Sequence, residues 1–149
     1  MPHSRTRGRA AAAGRSGRRR AALAGPGARL RAHLHLHLAD HHLLRILWQN
    51  REEFAPGAWR ANQPAPPQLA RYRDRGIRTV LSLRGGRAQG WHLLEAEACE
   101  RLGLALVVCP LASRALVPAP RLLALLDAFE RIERPFLMHC KSGSDRTGL

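Results

Sequence analysis

From residue 77 onward the apolar positions switch regularly between two periods. Residues 77–83 carry Ile77, Val80, Leu81 and Leu83 in a stretch rich in branched side chains, which predicts a strand. Trp91, Leu94, Ala98 and Leu102 then follow at helical spacing, forming one face of a helix that Gly103 should end. Residues 104–109 are apolar throughout, the pattern of a strand covered on both sides. Leu122, Leu125, Phe129 and Ile132 mark a second helix face, with Pro135 beyond it. The short apolar run Phe136, Leu137, Met138 predicts a last, buried strand. Strands alternating with helices imply an α/β fold: a parallel-core sheet with flanking helices. In such a sheet ligands bind beyond the carboxyl ends of the strands, where the loops opening at Arg84, Pro110 and Cys140 all belong.

Upstream the pattern is less regular. Phe54 and Trp59 flank Pro56-Gly57, which predicts a small hairpin. Pro64, Pro66 and Pro67 read as a stiff loop, followed by a helix over residues 68–75 with Leu69 and Tyr72 inward and Gly76 as the stop. Leu43, Leu44, Leu47 and Trp48 fit one face of a short amphipathic helix that packs on the domain or touches a membrane surface. The expected division is a disordered basic tail over residues 1–31, an amphipathic helical segment over 32–50, and a folded domain over 51–149.

Composition changes this picture mainly at the amino end. The chain has 149 residues, a formal net charge of +14 and an isoelectric point near 11.7, almost all from arginine, since Lys141 is the only lysine. Residues 1–31 are dominated by Arg, Ala and Gly and hold no acid, too poor in apolar side chains to fold, and similar in bias to an organelle transit peptide. Such a tail could act as a basic nucleic-acid or membrane adaptor; for the folded part, a solvated arginine-rich surface is favoured over a nucleic-acid interface. His33, His35, His37, His41 and His42 suggest a metal, but no cluster of Cys, Asp or Glu completes a ligand set, so no metal is expected. Cys99, Cys109 and Cys140 are too few for a disulfide framework, and a working thiol would suit the cytoplasm. No apolar run approaches the length of a membrane span.

The chemistry concentrates after the last strand. His139 and Cys140 enter a loop of small and polar residues, Lys141, Ser142, Gly143 and Ser144, closed by Asp145, Arg146, Thr147 and Gly148. Gly143 lets the chain turn so that successive N–H groups point inward. Those groups and Arg146 would favour a thiolate at Cys140, and the guanidinium can hold two phosphate oxygens at once. His139 is expected to orient the loop, and Thr147 to hydrogen-bond the sulfur when it leaves. Cys109 is read as a small apolar residue ending a strand, or more pointedly as a resolving thiol; Cys99 reads as helix packing, and Asp127 as solvated.

The stretch from His139 to Gly148 resembles the signature loop of the cysteine-based protein tyrosine phosphatase superfamily, H-C-x-x-G-x-x-R-[ST]-G, at every fixed position. The chain from Trp48 onward is also similar to the small dual-specificity branch, particularly bacterial members, through Ala55-Pro56-Gly57, Asn62-Gln63-Pro64 and Leu83-Arg84-Gly85. The resemblance implies a phosphoric monoester hydrolase that forms a phosphocysteine on Cys140, with Arg146 and the amides of Lys141, Ser142, Gly143, Ser144, Thr147 and Gly148 around the phosphate. It implies no cofactor. Many members carry an aspartate acid on the loop after the strand at 104–109; residues 110–118 hold no carboxylate, and Asp145 is the substitute, as in relatives with Asp-Arg in the signature loop. Lys141, with Arg84, Arg87 and Arg114 on the rim, suits a phosphoinositide or inositol phosphate as well as a phosphorylated protein. The family's domain continues beyond this loop, so the expectation is a fragment whose C-terminal helices are missing and whose activity is in question. The alternatives are a non-catalytic phosphate-binding module and the basic adaptor; rhodanese-type sulfur transfer fits less well, because its loop is usually shorter.

Overall fold

The computed structural model describes residues 25–34, 49–85, 89–112 and 115–148. In chain order the elements are α1 (Pro26–Leu34), β1 (Glu52–Ala55), β2 (Ala58–Ala61), α2 (Pro66–Asp74), β3 (Thr79–Ser82), α3 (Gly90–Leu102), β4 (Ala105–Val108), α4 (Ala119–Arg131) and β5 (Phe136–His139). The strands form one sheet in the order β1-β2-β5-β3-β4. β1 and β2 are the antiparallel hairpin, with Glu53 opposite Trp59, and every other pairing is parallel. β5 lies at the centre: His139 is level with Ala61 on one side and Ser82 on the other. The α/β class and mostly parallel sheet therefore stand as expected.

The period-two alternation of the strands sorts side chains between two cores. Val80, Leu137 and Leu106 turn toward α2 and α3, where Leu69, Tyr72, Ala98 and Cys99 meet them. Leu81, Phe136, Met138 and Val107 turn the other way, toward Leu125 and Phe129 of α4. Trp91, Leu94 and Ala98 of the expected α3 face are all buried.

Three expectations are corrected. The apolar run at 104–109 is not a strand covered on both sides: β4 is an edge strand with Ala105 exposed and Leu106, Val107 and Val108 half-buried. Periodicity reports burial preference, and strand order within a sheet lies outside it. The proline loop is shorter than expected, because α2 begins at Pro66. Proline suits a first helical turn, where its missing N–H has no partner to lose, and the Gln68 side chain accepts the Ala65 N–H at 2.7 Å. Lastly, α1 starts inside the stretch read as a disordered tail. It gains a tertiary anchor that composition alone does not reveal: Ala32 is buried against Trp91 and Leu94, and Arg29 pairs with Glu97 at 2.7 Å. The amphipathic pattern at residues 43–48 lies outside the described residues, as do four of the five clustered histidines; His33 is exposed on α1. Among the described residues, no helix is long and apolar enough to cross a membrane.

Candidate active site

β5 ends at His139, and the chain turns at once into the cysteine loop. Gly143 sits at φ +77°, and a Cβ there would come within 2.6 Å of the Asn62 nitrogen and 2.7 Å of the Ala61 carbonyl carbon. Only glycine lets the loop lie this close against the end of β2. A Cβ on Gly148 would likewise meet the Ser144 carbonyl oxygen at 2.7 Å, so the loop closes tightly on itself.

The turn points its donors at sulfur. The Gly143 N–H donates to Cys140 Sγ at 3.2 Å, and the Thr147 hydroxyl stands 4.0 Å from the same atom. Cys140 is buried, and burial pushes its thiol up. The backbone N–H groups of Arg146, Gly143 and Ser142, with the Thr147 hydroxyl, outweigh that and hold the thiol below its ordinary value. The sulfur thus sits in a cradle of backbone amides that favours its ionised form, an arrangement suited to an anion.

Behind the loop runs a polar network that sequence reasoning missed. Glu95 on α3 is 1% exposed and His139 0%, with Nε2 only 2.6 Å from Glu95 Oε1, a charge contact rather than an aligned hydrogen bond. His139 Nδ1 lies 3.3 Å from the Cys140 carbonyl oxygen. A carbonyl and an ionised carboxylate can only accept, so both ring nitrogens of His139 face acceptors. Gln63 donates to Glu95 Oε1 at 2.8 Å and accepts from Arg84 at 3.2 Å, while His92 Nδ1 is 3.7 Å from Glu95 Oε2. Burial alone would push the Glu95 carboxyl up; the neighbouring His139 charge and the histidine contacts outweigh it and hold it at about 2. On the outer side, Asn50 at φ 41° donates to the Gly143 carbonyl at 2.8 Å. Asparagine is among the few residues that enter this left-handed region readily.

Cys140, Gly143 and Thr147 come together as expected, and His139 stands directly behind them. Lys141, Ser142, Ser144 and Asp145 are exposed along the outer turn, Arg146 is half-buried and Gly148 exposed. Ser144 joins this turn together, with its hydroxyl 3.0 Å from that of Ser142 and donating to Asp145 at 3.2 Å. Arg84 is not on the rim: it is 8% exposed, stacked over the Trp91 ring at 3.8 Å and bound to Gln63. Its guanidinium faces inward because the buried network offers it both an aromatic face and an acceptor. Arg87 and Arg114 lie outside the described residues. Cys109 follows β4 beside α4 with its thiol pushed up by burial, the opposite of what an attacking thiol needs. One signal could have found Glu95: it occupies the same α3 face as Trp91, Leu94 and Ala98, a lone carboxylate in an apolar stripe.

No protein-family profile matches the sequence, and no curated protein matches it. Solved structures do. The catalytic core of the PP-IP phosphatase SIW14 of S. cerevisiae superposes with a TM-score of 0.59 at 19% identity, over 67% of this chain and 61% of that one. A DUF442 protein of Shewanella putrefaciens CN-32, named there as a candidate phosphatase, gives 0.56 at 17% identity, over 64% and 63%. TpbA of P. aeruginosa gives 0.50 at 26% identity, over 67% and 58%. The chain thus spans about three fifths of the length of the structures it matches. With its five-stranded sheet and the cysteine loop at the carboxyl end of the central strand, the chain has the fold of the cysteine-based tyrosine phosphatases.

Proposed function

We propose that this protein is a cysteine-dependent phosphomonoester hydrolase. The observation that carries the reading is the cradle around Cys140: a sulfur held below its ordinary proton affinity by the amides of Arg146, Gly143 and Ser142. The Cys140 thiolate attacks phosphorus, and the ester oxygen leaves with a proton from Asp145. The resulting phosphocysteine is attacked by water, which returns a proton to the carboxylate and releases phosphate and thiolate. Arg146 and the loop amides hold the equatorial oxygens through both steps. Arg146 is half-buried and Asp145 exposed, which leaves both open to an incoming ester. No step calls for a metal. The substrate class is a phosphomonoester on protein or on an inositol ring.

The test is turnover of p-nitrophenyl phosphate by the purified chain. Cys140→Ser should lower it by roughly a thousandfold or more, and Arg146→Ala by roughly a hundredfold or more. Turnover that survives Cys140→Ser would sink the proposal. An unsubstituted chain that binds phosphate without turning over would instead favour the phosphate-binding module.

A further inference from the structure

A second basic pocket lies apart from the cysteine. Gln49, Arg51, Gln68, Arg71, Tyr72 and Arg75 enclose about 260 Å³ between the entry to β1 and the outer side of α2. The nearby acids are engaged elsewhere. Glu52 pairs with Arg60, the Glu53 carboxylate accepts the Gly57 N–H at 2.9 Å, and Asp74 pairs with Arg73 at 2.6 Å. Arg51, Arg71 and Arg75 therefore face the pocket with no carboxylate partner among the described residues. Arg51 leans toward the Trp59 ring, 6.0 Å from its centroid, which helps fix its direction.

Tyr72 makes this more than a charged surface. Its ring is packed into the core on the α2 and α3 side and the residue is 5% exposed, yet it lines the pocket together with Arg51 and Arg75. Burial pushes the phenol up, against the opposing pull of Arg51 and Arg75. It thus stays protonated and offers a donor. Gln68 uses its amide oxygen on Ala65, leaving its amide N–H groups to spare.

We infer that Arg51, Arg71, Arg75 and Tyr72 form a second oxyanion site, which takes a phosphate group. Guanidinium forks and a phenol donor converging on one small volume match a tetrahedral dianion better than a flat carboxylate with two oxygens. The site adjoins the cysteine loop through one residue: Asn50, between Gln49 and Arg51, holds the Gly143 carbonyl. Nothing in it depends on Cys140 chemistry, so it stands or falls separately from the hydrolase reading.

Phosphate could arrive free or esterified, and calorimetric titration of the full chain with orthophosphate and with myo-inositol hexakisphosphate separates the two. Saturation by orthophosphate assigns the site to the free ion; saturation by the inositol ester alone assigns it to an esterified phosphate. In either arm the binding should persist in Arg146→Ala, which weakens the cysteine loop's own hold on phosphate. It should weaken roughly tenfold or more in the double variant Arg51→Ala, Arg75→Ala. Tyr72→Phe, which keeps the ring in the core, should weaken it roughly fivefold. The double variant Arg101→Ala, Arg121→Ala removes two exposed arginines elsewhere, on α3 and α4, and controls for net charge. Failure of both anions to bind Arg146→Ala, equal binding by the two double variants, or equally tight binding of acetate would each overturn the inference. The arginines are exposed, so their variants should fold; unchanged thermal melts verify it.

Discussion

The two faces of the sheet are built to different standards. On the face covered by α2 and α3, Leu69, Val80 and Leu137 are fully buried, and a buried carboxylate, two histidines and a glutamine share one network. On the other face α4 buries only Leu125 outright; Leu123 and Leu126 are 64% and 57% exposed, and a groove of about 480 Å³ runs between the helix and β3–β4. Cys140 and its neighbour divide between them. The thiol belongs to the cluster on the α4 side, whereas the imidazole of His139 reaches Glu95 on α3. The loop at Cys140 is therefore anchored through His139 on the α3 face, and tolerance to change is expected on the other.

Substitutions can break that contrast. Glu95→Ala leaves His139 and Gln63 without their buried partner and should cost about 3–5 kcal/mol in urea unfolding, enough to threaten folding. Leu69→Ala on the same face should cost about 2–5 kcal/mol, whereas Leu126→Ala on the other should stay within about 0.5 kcal/mol. Equal costs for the two leucines would erase the distinction between the faces.

Acid should sharpen it. Glu95 is held at about 2 in the folded chain against 4.5 for an ordinary glutamate. Its folded value is depressed, so its contribution is complete above about 4.5 and disappears as the pH falls toward about 2. Unfolding followed across that window should show a slope that Glu95→Gln flattens. The smallest effect separates two thiols. Cys140 is held below its ordinary value and Cys109 above it, so iodoacetamide at neutral pH should label Cys140 several-fold faster, roughly in proportion to thiolate present. Mass spectrometry of the labelled peptides reads this directly, and preferential labelling of Cys109 would contradict the amide cradle.

Much of this architecture is readable in the sequence because it is local. The branched run at Val80 and Leu81, the α3 stripe and the ordered spacing of Cys140, Gly143 and Arg146 each state their role within a few residues. What stayed hidden depends on residues far apart. Asn50 meets Gly143 and Gln63 meets Glu95 across long stretches of chain that no periodicity connects. The edge position of β4 follows from strand order, and the folding of α1 from a contact with Trp91. Arg84 misled for a related reason. Its place at a strand's carboxyl end is correct, but its direction is set by Trp91 and Gln63. The pocket at Tyr72 was hidden by abundance, since in so arginine-rich a chain no single arginine stands out.

The central place of β5 also sets the order in which this protein can assemble. β2 and β3 are neighbours of β5 rather than of each other, so both keep an open edge until residues 136–139 insert between them. These pairings span long sequence separations, and their loop-closure entropy is spent before any contact repays it. During synthesis the hairpin and the first crossover must therefore wait, edges unpaired, for the strand that leads into Cys140. The window in which the nascent chain is prone to pair with another copy closes only when β5 inserts and places Cys140.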